Sequence, residues 1–116
     1  MVIRFNIDGM KPQEYRGAVL RTGDYTLPLP VFLSASGEAL TLTTEDEMPS
    51  LEELQRAVGG YIEFVPIPAM DDIVLVVDEE GLLKEKPYNK IASEIAGRVI
   101  VGDVVITLRE EAEDEQ

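Results

Sequence analysis

The sequence predicts an α+β fold, a mostly antiparallel sheet of six to eight short strands with two short helices. Three observations carry that expectation. Short runs alternate apolar and polar residues between Gly, Pro, Asn or Asp, which is the period-two signature of half-buried strands. Only two stretches, after Pro49 and after Pro87, space their apolar residues as a helix face does. These helical stretches do not alternate regularly with the strands, which argues against a doubly wound parallel sheet. The 116 residues amount to one domain, and a chain of this size buries roughly 65% of its unfolded surface. Residues 1–109 are therefore read as a single domain.

Val2–Ile7 alternates as a strand and ends at the turn pair Asp8-Gly9. Within Arg16–Thr26, Ala18-Val19-Leu20 fits a short strand and Thr22-Gly23-Asp24 a turn. Pro28 and Pro30 fix φ and deny ladder donors, so Leu27–Pro30 belongs at an edge or in a loop. Val31–Ser34 and Ala39–Thr44 read as two strands joined across Ala35-Ser36-Gly37-Glu38, and Thr41, Thr43 and Thr44 suit a half-buried sheet face.

Ser50-Leu51-Glu52-Glu53 is a capping box, in which the Ser50 hydroxyl accepts from the Glu53 amide and the Glu53 carboxylate from the Ser50 amide. Such a cap contributes about 1 kcal/mol. Leu51, Leu54 and Val58 form one apolar stripe, and Gly59-Gly60 ends the helix. Tyr61–Ile67 then alternates. Ile73–Val77 is an unbroken apolar run, expected as a central strand covered on both faces. Asp78-Glu79-Glu80-Gly81 is a turn, so Ile73–Val77 and Leu82–Leu83 are expected to form a hairpin. Pro87 suits the first turn of a second helix, whose stripe is Ile91, Ala92, Ile95 and Ala96 and whose stop is Gly97. Arg98–Val101 and Val104–Leu108 flank Gly102-Asp103, either as a hairpin or as one strand bent at Gly102. Residues 110–116 hold five carboxylates and read as a disordered acidic tail.

Composition narrows the chemistry. There is no Cys, His or Trp, which removes disulfides, thiol nucleophiles and every mechanism built on imidazole. Asp and Glu number 23 against 10 Lys and Arg, a net charge of −13. Phosphate-backbone binding needs clustered cations, whereas these run scattered from Arg4 to Arg109, so direct contact with nucleic acid is not expected. The acidity has a plain reading as solubility and a sharper one as a surface that imitates nucleic acid or docks on a basic partner. The first eight residues are too short and too polar for a signal peptide, and the longest apolar run is far below a membrane span. A cytoplasmic protein is expected, in the host cytoplasm if its source is a virus.

No catalytic residues are assigned. Asp71-Asp72 and Asp78-Glu79-Glu80 bracket the expected central strand, about 20 Å apart by strand rise, too far for one acid–base pair. Each cluster sits where solvated turn carboxylates are ordinary, so no metal and no cofactor are expected. Ser34, Ser36, Ser50 and Ser93 have no His to activate them; Ser93 with Lys90 is the one conceivable dyad. Gly60, Tyr61, Tyr88 and Asn89 form a candidate ligand-binding group, a ring and an amide beside glycine backbone suited to a small planar molecule. The alternative is that Asn89 caps the second helix and Tyr61 packs in the sheet.

The succession Leu51-Glu52-Glu53-Leu54-Gln55, Val58-Gly59-Gly60-Tyr61-Ile62-Glu63, Asp78-Glu79-Glu80-Gly81-Leu82-Leu83-Lys84, Pro87-Tyr88-Asn89 and Ile100-Val101-Gly102-Asp103 resembles a domain-of-unknown-function family of small phage, plasmid and bacterial proteins. The resemblance covers residues 51–106, about half the chain, and residues 1–45 match less clearly. It implies an accessory protein of mobile elements and transfers no activity. Together with the missing catalytic side chains, it leads us to expect a non-enzymatic protein that binds a protein partner. Glu45, Asp46, Glu47, Glu52, Glu79 and Glu80 are the candidate partner-binding residues, and an inhibitor imitating DNA is the extreme form. The alternative is a small-molecule binder, nucleotide-like in its target, and a third reading is a metal-dependent hydrolase. A homodimer is compatible with a short sheet whose edges are open.

Overall fold

The computed structural model describes residues 3–5, 19–22, 25–41, 50–68 and 70–109. In chain order the elements are β1 (Ile3–Phe5), β2 (Val19–Thr22), β3 (Tyr25–Pro28), β4 (Val31–Leu33), β5 (Ala39–Thr41), α1 (Leu51–Val58), β6 (Ile62–Ile67), β7 (Met70–Asp78), α2 (Lys90–Ala96) and β8 (Val104–Leu108). An antiparallel sheet runs β4–β8–β7–β6 and continues beyond β4 into β5 and β1, while β2 and β3 pair as a separate antiparallel hairpin. The chain is thus α+β with an antiparallel sheet, as its patterning predicts. The expected tail at 110–116 lies outside the described residues.

Two apolar layers sandwich the sheet. Alternation along β7 sends Ile73, Leu75 and Val77 to one face and Val74 and Val76 to the other, and every residue from Ile73 to Asp78 is buried. The first face meets α2 through Ala92, Ile95 and Ala96, together with Leu20 and Leu27 of the hairpin. The second meets α1 through Leu54 and Val58. This explains the unbroken run in the sequence, since an amphipathic pattern would leave one of these helices without an apolar floor.

The helix ends follow the sequence rules. Ser50 Oγ accepts from the Glu53 amide at 3.2 Å and Glu53 Oε1 accepts from the Ser50 amide at 3.4 Å. Gly59 closes α1 in the left-handed region at φ 86°, where a side chain would cost roughly 1–2 kcal/mol. α2 starts later than Pro87 suggests, because Asn89 is its N-cap.

Hydrogen-bond phase defines the outer edge of β6. The Glu79 amide donates to the Tyr61 carbonyl at 2.9 Å, and Ile62 lies opposite Asp78. Antiparallel alternation then turns the backbone groups of Glu63 and Val65 toward β7 and those of Ile62, Phe64 and Pro66 outward. Pro66 consequently removes no ladder donor, which is why proline is tolerated in this strand.

Two expectations need correction. Leu82–Leu83 is not the return strand of a hairpin: residues 79–85 form consecutive turns, and β7 pairs with β6 and β8 instead. Residues 98–103 are neither a hairpin arm nor a bent strand. Their backbone groups are taken by the segment before α2 and by Ser93 within it: Gly102 N–H donates to Pro87 C=O at 2.7 Å, Asn89 N–H to Ile100 C=O at 2.9 Å, and Ser93 Oγ accepts from Ile100 N–H at 2.8 Å. With those donors and acceptors occupied, ladder pairing begins only at Val104.

Candidate functional site

Alternation places the Asp78 side chain, at the end of β7, on the same face as Val74 and Val76, next to the C-terminal end of α1. The carboxylate is 1% exposed and contacts two ammonium groups, Lys84 Nζ at 2.8 Å and Lys86 Nζ at 2.7 Å. It also accepts from the Glu80 amide at 2.8 Å. Lys86 Nζ donates to the Val58 carbonyl and Lys84 Nζ to the Gly59 carbonyl at 3.1 Å. Both cations therefore meet the last carbonyls of α1, where the helix dipole favours positive charge, and one carboxylate neutralises the excess. The result ties β7, the turns after it and α1 into one unit.

Three glycines clear the space. A Cβ on Gly60 would lie 2.6 Å from Lys84 Nζ and 2.8 Å from an Asp78 carboxylate oxygen; one on Gly102 would lie 2.8 Å from the Lys86 stem. A Cβ on Gly59 would come within 2.8 Å of Lys86 Nζ. Lys84 can swing into water but Asp78 cannot, so Gly60→Ala is expected to weaken the ion pair and destabilise the fold by about 1–2 kcal/mol. Urea unfolding checks this; a midpoint equal to that of the unchanged protein would contradict the packing described.

Burial pushes the Asp78 carboxyl upward, but hydrogen bonds from Lys84, Lys86 and the Glu80 amide outweigh it and hold the group at about 2, below its ordinary 3.8. A folded-state value below the unfolded one stabilises the fold above the unfolded value, and that contribution disappears as pH falls through the folded one. The stability contributed by Asp78, about 2 kcal/mol, should therefore be intact above pH 4 and lost between about pH 4 and pH 2. Denaturant titrations of the unchanged protein and Asp78→Asn across that window should converge as the pH falls. The hydrogen bond to Asp78 raises Lys84 against the opposing effect of burial, so its contribution persists through neutral pH and disappears only above 10.5.

Large apolar side chains stand exposed around this unit: Tyr61, Leu82, Leu83, Tyr88 and Val99. Leu82 and Val99 border a cleft of about 80 Å³, which Glu63, Glu79 and Arg98 also line. Across the turns, Gly60, Tyr61, Glu80 and Lys84 border a second, open depression of about 260 Å³.

The expected site residues divide accordingly. Gly60 and Tyr61 come together at the open depression, but neither cleft is lined by Tyr88, which bridges to Val101. Asn89 is 1% exposed, and its amide is fully engaged: Oδ1 accepts from Ala92 N–H, while Nδ2 donates to the Leu33 and Gly102 carbonyls. Glu52, Glu79 and Glu80 are exposed, Glu52 near the start of α1 and the other two beyond its end. Glu45, Asp46 and Glu47 lie outside the described residues. Ser93 is buried and bonded to Asn89 C=O and Ile100 N–H, and Lys90 is exposed. Asp71 and Asp72 lie at the opposite end of β7 from Asp78, and among the described residues no group of three or more Asp or Glu is placed to hold a metal ion. Among them too, no helix is long and apolar enough to cross a membrane.

Sequence reasoning missed Asp78, reading it with Glu79 and Glu80 as a solvated turn. The available signal was a carboxylate directly after a buried run, followed by two lysines at positions 84 and 86. Of the segments that carry the family resemblance, 58–63, 78–84, 87–89 and 100–103 meet here, with Lys86 between the second and the third. No curated protein and no solved structure matches the chain. A family model does, over residues 31–116, and the chain belongs to that family, described as Domain of unknown function (DUF3846).

Proposed function

We propose that this protein acts by docking on a basic protein partner, with Leu82 and Leu83 as apolar anchors and Glu79, Glu80 and Glu52 as the acidic surround. The observation that carries this reading is that two adjacent leucines, 73% and 83% exposed, stand on a fixed turn. Four backbone hydrogen bonds close that turn, Gly81 to Asp78, Lys84 to Glu80, Glu85 to Leu82 and Lys86 to Gly81, and the Asp78 ion pairs fasten it to α1. Holding apolar side chains in water on an ordered loop removes the ordering entropy that binding otherwise costs, and exposed apolar groups rimmed by charge are the usual anatomy of a protein interface. The clefts of about 80 and 260 Å³ fall below the roughly 300 Å³ at which small-molecule sites begin, which favours a protein partner over a nucleotide-like ligand.

The accessory role in a mobile element, in a cytoplasm, belongs to this reading, and a partner whose basic face ordinarily holds DNA is its limiting form. Capture from a host lysate on the immobilised chain tests it. Retention should fall at least about tenfold between low salt and roughly 0.5 M, since exposed charges beyond a Debye length are screened. Salt-insensitive retention, or none at either salt, would overturn the reading.

A further inference from the structure

We propose that the partner binds by adding an extended strand to the outer edge of β6, pairing with the backbone of Ile62 and Phe64 and placing one basic side chain in the cleft beside Glu63. This rests on the docking reading above and names its mode. Three observations on one edge converge. The ladder phase aims the N–H and C=O groups of Ile62 and Phe64 away from β7, and among the described residues no strand lies beyond β6. Pro66, the next outward position, offers no donor, and the register shifts between Pro66 and Ile67, so pairing is confined to the Tyr61 end of the strand, where Leu82 stands. The cleft there measures about 80 Å³, close to the volume of one long side chain. Its walls offer Val65, Val77 and Ile100 to an aliphatic stem, and at the cationic end the carboxylates of Glu63 and Glu79 outnumber the one cation on the wall, Arg98. Strand addition works in this way, with main-chain bonds supplying affinity and a pocket for an alternate side chain supplying specificity.

Charge selects the occupant. A second copy of this chain would bring −13 against −13 and place Glu63 near its own counterpart, whereas a basic strand is attracted.

The probe is an acetylated, amidated peptide of alternating Lys and Val, compared with the same peptide N-methylated at every second amide, which keeps the charge but cannot pair with a sheet edge. Amide hydrogen exchange of the full chain is read by NMR at low salt. Addition of the unmodified peptide should slow exchange at Ile62 and Phe64 by about tenfold or more, with little change at outward-facing amides elsewhere. The methylated peptide should not do so, and Glu63→Lys should abolish the effect while leaving the free chain folded. Equal protection by both peptides, or protection unchanged in Glu63→Lys, would overturn strand addition. So would a dimer in sedimentation that disappears in Glu63→Lys, because it would put a second copy on the edge. A lysate partner retained by Glu63→Lys in a salt-dependent manner would overturn the strand mode alone and leave the docking reading standing.

Discussion

Asn89→Asp is expected to destabilise the protein by about 4 kcal/mol at neutral pH, more than any other single substitution in its buried polar groups. The substitution exchanges one nitrogen for oxygen. The cap survives, because the remaining oxygen still accepts from Ala92 N–H at 3.1 Å. The two donor contacts, to Leu33 C=O at 3.2 Å and Gly102 C=O at 2.9 Å, become contacts between lone pairs. A carboxylate is thereby left beside two carbonyls at a site 1% exposed, with no cation among its hydrogen-bond partners. Asn89→Ala should cost somewhat less, about 3 kcal/mol, by orphaning the same two carbonyls and the cap amide without adding a charge. Urea unfolding at pH 7 distinguishes the three proteins. Asn89→Asp within about 1 kcal/mol of the unchanged protein would mean that the amide is not holding β4 and the Gly102 segment together.

The second large effect is expected at Asp78. Asp78→Ala leaves the ammonium groups of Lys84 and Lys86, whose side chains are 40% and 20% exposed, facing one another and the end of α1, and removes the acceptor for the Glu80 amide. Breaking a buried ion pair from one side typically costs roughly 3–5 kcal/mol; because both lysines can partly retreat into water, about 3 kcal/mol is expected, or about 10 °C in melting temperature for a chain of this size. Asp78→Asn keeps an acceptor for Glu80 and should lose less. Lys86→Met should cost more than Lys84→Met, since Lys86 is the less exposed and bonds the Val58 carbonyl. If all these variants melted with the unchanged protein, the ion pairs would be ornaments of the surface and the turn would owe its order to backbone hydrogen bonds alone.

The sequence shows features whose physics is local and hides those that depend on distant closure. Ser50 and Glu53 are three residues apart and cap each other whatever the rest of the chain does, and Gly59 stops the helix for reasons of its own φ. The Ile73–Val77 run shows that two apolar layers will cover it, because no one-sided strand carries five consecutive apolar residues. The Val31–Leu33 and Ala39–Thr41 pairing across Gly37, at φ 94°, is similarly written in its turn. Asp78 has no such local signature. Its neighbours Glu79 and Glu80 are exposed, and what buries it is the return of Lys84 and Lys86 through a turn whose shape depends on Glu85 adopting φ 55°, a conformation glutamate does not advertise. Tyr88 and Asn89 look like a pair in sequence, yet an isolated bridge to Val101 and a helix cap send them to opposite environments, 55% and 1% exposed. The leucines at 82 and 83 read as the return arm of a hairpin for the same reason: an apolar pair in sequence carries no mark of whether it joins a sheet or stands in water.

That last distinction is tested most directly by one double variant, Leu82→Ser with Leu83→Ser, measured twice. Both side chains stand in water, so the melting temperature should stay within about 2 °C of the unchanged protein, while salt-sensitive capture of the partner should disappear. A variant that melts many degrees lower would show the leucines to be structural, and one that captures the partner undiminished would show that the partner does not bind through them.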